Sequence, residues 1–144
     1  MNWLYNGEEI TDISQFHPDT FGFVYKVTTP DGRKYIGKKV LYHNQKKKLT
    51  KVELSEQTGR GRRKSYKVVQ KESDWKKYVG SNSELKRKLT EGEVTLEDLD
   101  KQILEIALHK KHLTYLETKY LFCYEVLENP EEYYNDNILG KFFT

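Results

Sequence analysis

With 144 residues, 36% hydrophobic and 33% charged, the chain is long enough for one soluble globular domain with its own core and leaves little for a second. There is no apolar run of about eighteen residues, so no membrane-spanning helix is expected, and Met1–Gly7 has neither the basic nor the apolar region of a signal peptide. The net charge is only +3, yet about a dozen Lys and Arg lie between Lys38 and Lys71 against two acids, Glu53 and Glu56. That distribution suits a polyanionic partner or, more plainly, a solvated surface.

Trp3-Leu4-Tyr5 and Glu8-Glu9-Ile10 flank Asn6-Gly7, a dipeptide suited to a type I′ turn, so residues 1–20 read as a capping element that ends in the break at His17-Pro18-Asp19. Phe21–Thr28 is rich in aromatic and β-branched residues and predicts a strand. Thr29-Pro30-Asp31-Gly32 predicts a turn, and Arg33–Val40 the returning strand. Residues 41–73 form a polar, lysine-rich insertion broken at Gly59 and Gly61, with one candidate strand at Ser65–Val69. Asp74–Gly80 brings the chain back, and Ser81-Asn82-Ser83-Glu84 suggests a capping box for a short helix through Leu89 that stops at Gly92. Gln102–Leu108 suits a strand buried on both faces. Leu113, Leu116, Tyr120, Leu121, Tyr124 and Leu127 fall on one stripe and predict a helix over about 112–127, with Pro130 beyond it. The single cysteine, Cys123, lies in this apolar stretch and reads as a reduced core residue of a cytoplasmic protein. The order predicts an α+β fold: a small antiparallel sheet of about three strands flanked by helices, a single domain over 1–144 with a basic insertion after the second strand.

Chemistry concentrates at a few positions. If the hairpin turn holds four residues, Tyr25 opposes Tyr35 and two phenols share a face beside Gly37, which leaves room for a close approach. A cross-strand aromatic pair is the structural alternative. Glu117 lies between Leu113 and Tyr120 on the apolar stripe, where a carboxylate must be neutralised, find a cation or line a polar pocket. One carboxylate can hold Mg²⁺ when phosphate and waters complete the octahedron. No spaced Cys/His set exists that would bind zinc.

Phe23-Val24-Tyr25, followed by Tyr35-Ile36-Gly37, resembles the paired motifs of the GIY-YIG nucleases, with Phe in place of the first glycine and Gly22 just before it. Leu116-Glu117-Thr118-Lys119-Tyr120 and Tyr134-Asn135 resemble that family's metal-binding glutamate and terminal asparagine, in the same order along almost the whole chain. Short GIY-YIG proteins encoded by phages are the nearest in kind. The resemblance implies an endonuclease that hydrolyses DNA phosphodiesters with one divalent ion, Mg²⁺ or Mn²⁺, in a bacterial or phage-infected cell. It also implies roles: Tyr25 activates a water, Tyr35 orients the water or phosphate, Glu117 holds the metal and Asn135 buttresses the site. The family's phosphate-clamping arginine has no direct counterpart after Gly37; the candidates are Arg62 or Arg63 in the glycine-flanked turn, and Arg87, whose alternative is an ordinary exposed position. Lys38, Lys39, Lys46, Lys47, Lys48, Arg60 and Lys64, with Arg87, are candidate DNA contacts. No protein partner is evident. A non-catalytic nucleic-acid-binding module, with tyrosines as stacking platforms, is the competing reading and leaves Glu117 unexplained.

Overall fold

Asn6 and Gly7 both take positive φ, 52° and 81°, the backbone of a type I′ turn, and fold β1 (Trp3–Tyr5) onto β2 (Glu8–Ile10). The structure is a computed structural model that describes residues 2–57, 59, 61 and 64–144. β3 (Gly22–Thr28) and β4 (Lys34–Val40) form the expected hairpin, and its turn is closed by Thr29 N–H to the Arg33 carbonyl at 2.9 Å. There follow β5 (Tyr42–Lys48), α1 (Lys51–Ser55), β6 (Tyr66–Glu72), α2 (Ser83–Thr90), β7 (Asp100–Ala107), α3 (Lys110–Cys123), β8 (Asn137–Ile138) and β9 (Phe142–Phe143). No helix among the described residues is long and apolar enough to cross a membrane.

The chain divides into two compact units, Met1–Leu41 with Asp74–Thr144, and Tyr42–Ser73. The first is an α+β unit built on a sheet of order β2-β1-β7-β3-β4. Its centre is the expected antiparallel set β7, β3 and β4. The N-terminal hairpin extends the sheet to five strands because β1 pairs with β7 in parallel, Leu4 beside Gln102 and Tyr5 beside Ile103.

Both faces of this sheet are covered. On one, Val24, Ile36 and Ala107 pack against Leu113, Leu116 and Leu121 of α3 and against Val126, Tyr133 and Ile138. On the other, Trp3, Phe16, Phe23, Tyr25 and Trp75 form an aromatic cluster with ring centroids 5.1–6.4 Å apart, and the Trp3 indole N–H donates to the Trp75 carbonyl at 2.7 Å. α3 ends at Cys123 rather than near Leu127, and the chain turns at Glu125 with φ 52°. Cys123 is exposed, contrary to the core placement expected, because two steps beyond Leu121 carry it to the far side of the helix from the buried stripe.

β4 is an edge strand whose outward backbone groups are nonetheless paired at Lys34 and Ile36. Lys34 N–H donates to the Glu132 carbonyl at 2.8 Å and its carbonyl accepts from Tyr134 N–H at 2.7 Å. At Ile36 the Asn135 side chain takes the place of a neighbouring strand: its Oδ1 accepts from Ile36 N–H at 3.0 Å and its Nδ2 donates to the Ile36 carbonyl at 2.8 Å. Asn135 is buried, so both contacts are shielded from water.

Two stability predictions follow from these buried groups. Asn135→Ala leaves Ile36 N–H and C=O unpaired and should cost about 2 kcal/mol or more in denaturant unfolding. Asn135→Asp keeps the acceptor but sets a carboxylate against the Ile36 carbonyl, which raises its folded pKa. It should therefore be near parental stability in acid and lose stability as the pH rises through that pKa; a penalty independent of pH contradicts the pairing. The second group is Lys101, buried beneath the Trp3 ring at 4.3 Å, its ammonium donating to the Lys76 carbonyl at 2.9 Å. Burial pushes it down from 10.5 to about 8. Between those two pH values the folded chain sheds a proton that the unfolded chain keeps, so the parent should gain stability there relative to Lys101→Met. Parallel melting curves for the two proteins across that window would contradict this.

Candidate active site

Tyr25 stands opposite Gly37 on β4, and Tyr35 stands opposite Val27. The expected Tyr25–Tyr35 opposition is therefore displaced along the ladder, because the turn runs from Thr29 to Arg33 and is longer than the four residues assumed. The shift keeps parity, so both phenols still share a face, their centroids 6.3 Å apart at 42°. A Cβ on Gly37 would lie 2.5 Å from the Tyr25 oxygen and 2.7 Å from its Cζ; the ring rests on bare backbone. Gly80, with φ 115°, approaches Tyr35 in the same way, since a Cβ there would lie 2.7 Å from Cε1 of Tyr35.

A third phenol joins them. Tyr78 sits edge-on to Tyr25 at 6.1 Å and hydrogen-bonds its hydroxyl. The Lys39 ammonium lies 4.0 Å over the Tyr78 ring and pairs with Asp74 at 2.6 Å. Burial, with the neighbouring Tyr35, Tyr78 and Glu117, holds the Tyr25 hydroxyl well above the ordinary phenol range. Burial also raises Tyr35, and a hydrogen bond from Ser81 offsets part of that; the Tyr35 oxygen lies 3.2 Å from Ser81 Oγ. Both phenols are neutral at physiological pH.

Glu117 comes from α3, on the other face of the sheet. Its side chain is 19% exposed and pairs with the Lys38 ammonium at 3.8 Å, which also donates to Thr114 Oγ1 at 3.2 Å. Burial raises the carboxyl above its usual value, and the Lys38 ammonium and backbone N–H pull it partly back. Tyr35 and Lys38 leave β4 on opposite faces, yet both reach its outer edge. There they line an open cleft of about 490 Å³ with Glu117, Asn135, Asp136 and the Ser81–Ser83 segment. That segment is the start of α2, where Asn82, rather than Ser81, is the cap: its Oδ1 accepts from Leu85 N–H at 3.0 Å and its Nδ2 donates to the Tyr134 carbonyl at 2.9 Å. The positive end of a helix and one ammonium thus face the space beside the Glu117 and Asp136 carboxylates, a setting that suits a phosphate together with a cation.

Tyr25, 1% exposed, is not among the cleft-lining residues; it supports Tyr35 from beneath. Arg87 does not line the cleft either, being paired with Glu91 at 2.5 Å and Glu93 at 3.2 Å. Arg60, Arg62 and Arg63 lie outside the described residues. Lys46, Lys47, Lys48 and Lys64 belong to the second unit, all exposed. Tyr78, Ser81 and the pairing of Lys38 with Glu117 were not anticipated, although Tyr78-Val79-Gly80-Ser81 echoes Tyr35-Ile36-Gly37 in the sequence and was the available signal.

Among the described residues no group of three or more His, Cys, Asp or Glu is placed to bind a metal. A single desolvated carboxylate in a wet cleft, underbalanced by one lysine, still fits a hard divalent cation that takes its remaining ligands from phosphate and water. The family model described as "Putative endonuclease segE, GIY-YIG domain" matches residues 3–138. No curated protein and no solved structure matches the chain. With nearly its whole length matched, and Tyr35, Glu117 and Asn135 of the motifs meeting at one strand edge, the chain belongs to the GIY-YIG family of nucleases, which are phosphodiester hydrolases.

Proposed function

We propose that the protein is a metal-dependent endonuclease that hydrolyses DNA phosphodiesters in the cleft at the outer edge of β4. The observation that carries this reading is the meeting of Glu117, Lys38 and Tyr35 at that edge, beside the N-terminus of α2. Glu117 would hold one Mg²⁺ or Mn²⁺, which supplies stabilisation of the negative charge developing on the leaving 3′-oxygen. Lys38 and the first turn of α2 hold the scissile phosphate, the ammonium as a point charge and the helix through its free N–H groups. Arg87 is engaged by two glutamates and is not assigned the arginine role.

The phenols act as neutral groups. Tyr35, hydrogen-bonded to Ser81 Oγ, accepts from the attacking water, which fixes the water in line with the P–O3′ bond. Water attack on phosphorus forms the new P–O bond and breaks P–O3′; the proton released by the water passes to solvent and the departing O3′ takes one from solvent, leaving a 5′-phosphate and a 3′-hydroxyl. Tyr25 is a positioning residue in this account, locking Tyr35 through the Gly37 contact and the Tyr78 hydrogen bond. That reverses the emphasis the family resemblance suggests, in which Tyr25 activates the water.

Two measurements test the assignments. Glu117→Gln should abolish Mg²⁺-dependent plasmid cleavage while duplex binding is kept within a few fold; an active variant removes the metal role. Tyr35→Phe should slow single-turnover cleavage by about 10²-fold, the order that a small misplacement of the reacting atoms costs. Tyr25→Phe should slow it less. A larger loss in Tyr25→Phe would make Tyr25 the water-activating group, and parental rates in both would reduce the tyrosines to a packing pair.

A further inference from the structure

The second unit, Tyr42–Ser73, contains a feature the hydrolytic site does not use. β5 and β6 form a two-stranded antiparallel ribbon paired from Tyr42–Glu72 to Lys48–Tyr66, and every strand residue except Tyr42 and Val69 is exposed. Two strands with no buried apolar face are at best marginally stable alone. The local ties here are polar: Lys67 pairs with Glu53 at 2.7 Å, the Gln57 side chain bonds both N–H and C=O of Lys64, and Leu49 N–H donates to the Ser65 carbonyl at 3.0 Å. Such a ribbon contributes its surface, not a core.

That surface is sorted by charge and by face. Residues 42–73 hold ten Lys and Arg and three Glu, whereas the rest of the chain holds fifteen and nineteen, so the cationic character of the protein resides in this unit. The pairing puts Asn44 with Gln70, Lys46 with Val68, and Lys48 with Tyr66 on one face. Gln45 with Val69, Lys47 with Lys67, and His43 with Lys71 occupy the other. The first face carries what base-edge recognition needs: amides that bond adenine bidentately, an ammonium for the guanine acceptors, and in Val68, 62% exposed, an apolar contact for a thymine methyl. An arm that only neutralised phosphates would need none of the amides or the valine.

We propose that the β5–β6 ribbon enters the major groove of duplex DNA and reads base pairs with Asn44, Lys46, Val68 and Gln70. The inference rests on the nuclease reading for its choice of polyanion. Shape supports it as well: two strands about 4.8 Å apart with their side chains match a groove about 12 Å wide and exceed one of about 6 Å. Seven residues at about 3.4 Å each run about 24 Å, less than one DNA turn, which allows a motif of about three to five base pairs. Lys47 and Lys71 on the opposite face would supply sequence-independent phosphate contacts.

The test is a selection from a random-sequence duplex library with the full chain carrying Glu117→Gln, followed by sequencing of the bound fraction. An enriched short motif is expected. Asn44→Ala with Gln70→Ala should reduce the preference for that motif about tenfold or more, while affinity for unselected duplex changes less than about threefold. Lys47→Ala with Lys71→Ala should instead weaken binding uniformly and flatten its salt dependence. Glucosylated hydroxymethylcytosine in the selected duplex, which fills the major groove, should erase the preference, and a minor-groove ligand should not. Absence of a motif, a motif that survives Asn44→Ala with Gln70→Ala, or loss of preference only with the minor-groove ligand overturns the proposal. Plasmid cleavage by the parent is scored separately: cleavage without a motif overturns the ribbon alone, and a motif without cleavage overturns the nuclease reading alone.

Discussion

The site depends on how the outer edge of β4 is closed. An edge strand offers its N–H and C=O groups to any other chain, and here the 132–135 segment and the Asn135 amide take them at Lys34 and Ile36. The closure does more than seal an edge. It pins Asn135 and Asp136 as one wall of the cleft while Glu117 and Lys38 meet just beyond Ile36. Alternation along three residues then does the rest, sending Tyr35 to the aromatic face and Lys38 to the face of α3, with both tips at the same edge. Residues from two separately packed faces can meet only there.

The electrostatics are spare. Among the described residues, the partly buried Glu117 and the exposed Asp136 carboxylates, one ammonium and a helix N-terminus line the cleft, and the two motif phenols are neutral because burial opposes their ionisation. A site with so few charges cannot neutralise a phosphodiester by itself; a divalent ion would supply the missing positive charge, which is why the proposed chemistry is metal-dependent. Gly37 and Gly80 matter for a related reason. Each removes a Cβ that would strike a tyrosine ring, so the phenols lie flush with backbone and keep fixed orientations.

Much of this was legible in the sequence, and the exceptions have physical causes. The β3–β4 hairpin is a local structure whose β-rich strands and Pro-Asp-Gly turn declare it, and a glutamate on an apolar helix stripe advertises a special environment. The exact register was not legible, because a two-residue displacement along the ladder, from Tyr35 to Gly37 opposite Tyr25, leaves the same side chains on the same face. Nor was the parallel pairing of β1 with β7, or the packing of Tyr78 against Tyr25, since contacts between distant segments leave no local pattern. β5 was hidden for another reason: its run of polar and lysine residues lacks the apolar alternation by which a packed strand is recognised. Cys123 misled because composition around it was apolar while its helical angle faced solvent.

The two units divide the proposed work, one holding the hydrolytic edge and the other an exposed basic ribbon. The claim on which the rest stands is that the β4-edge cleft takes a single divalent ion through Glu117. Electron paramagnetic resonance of Mn²⁺ titrated into the full chain with a duplex made uncleavable by backbone substitution tests it without relying on turnover. The account predicts one bound Mn²⁺ per chain, lost in Glu117→Gln at the same concentrations. Two ions per chain, or binding unchanged in that variant, would contradict it.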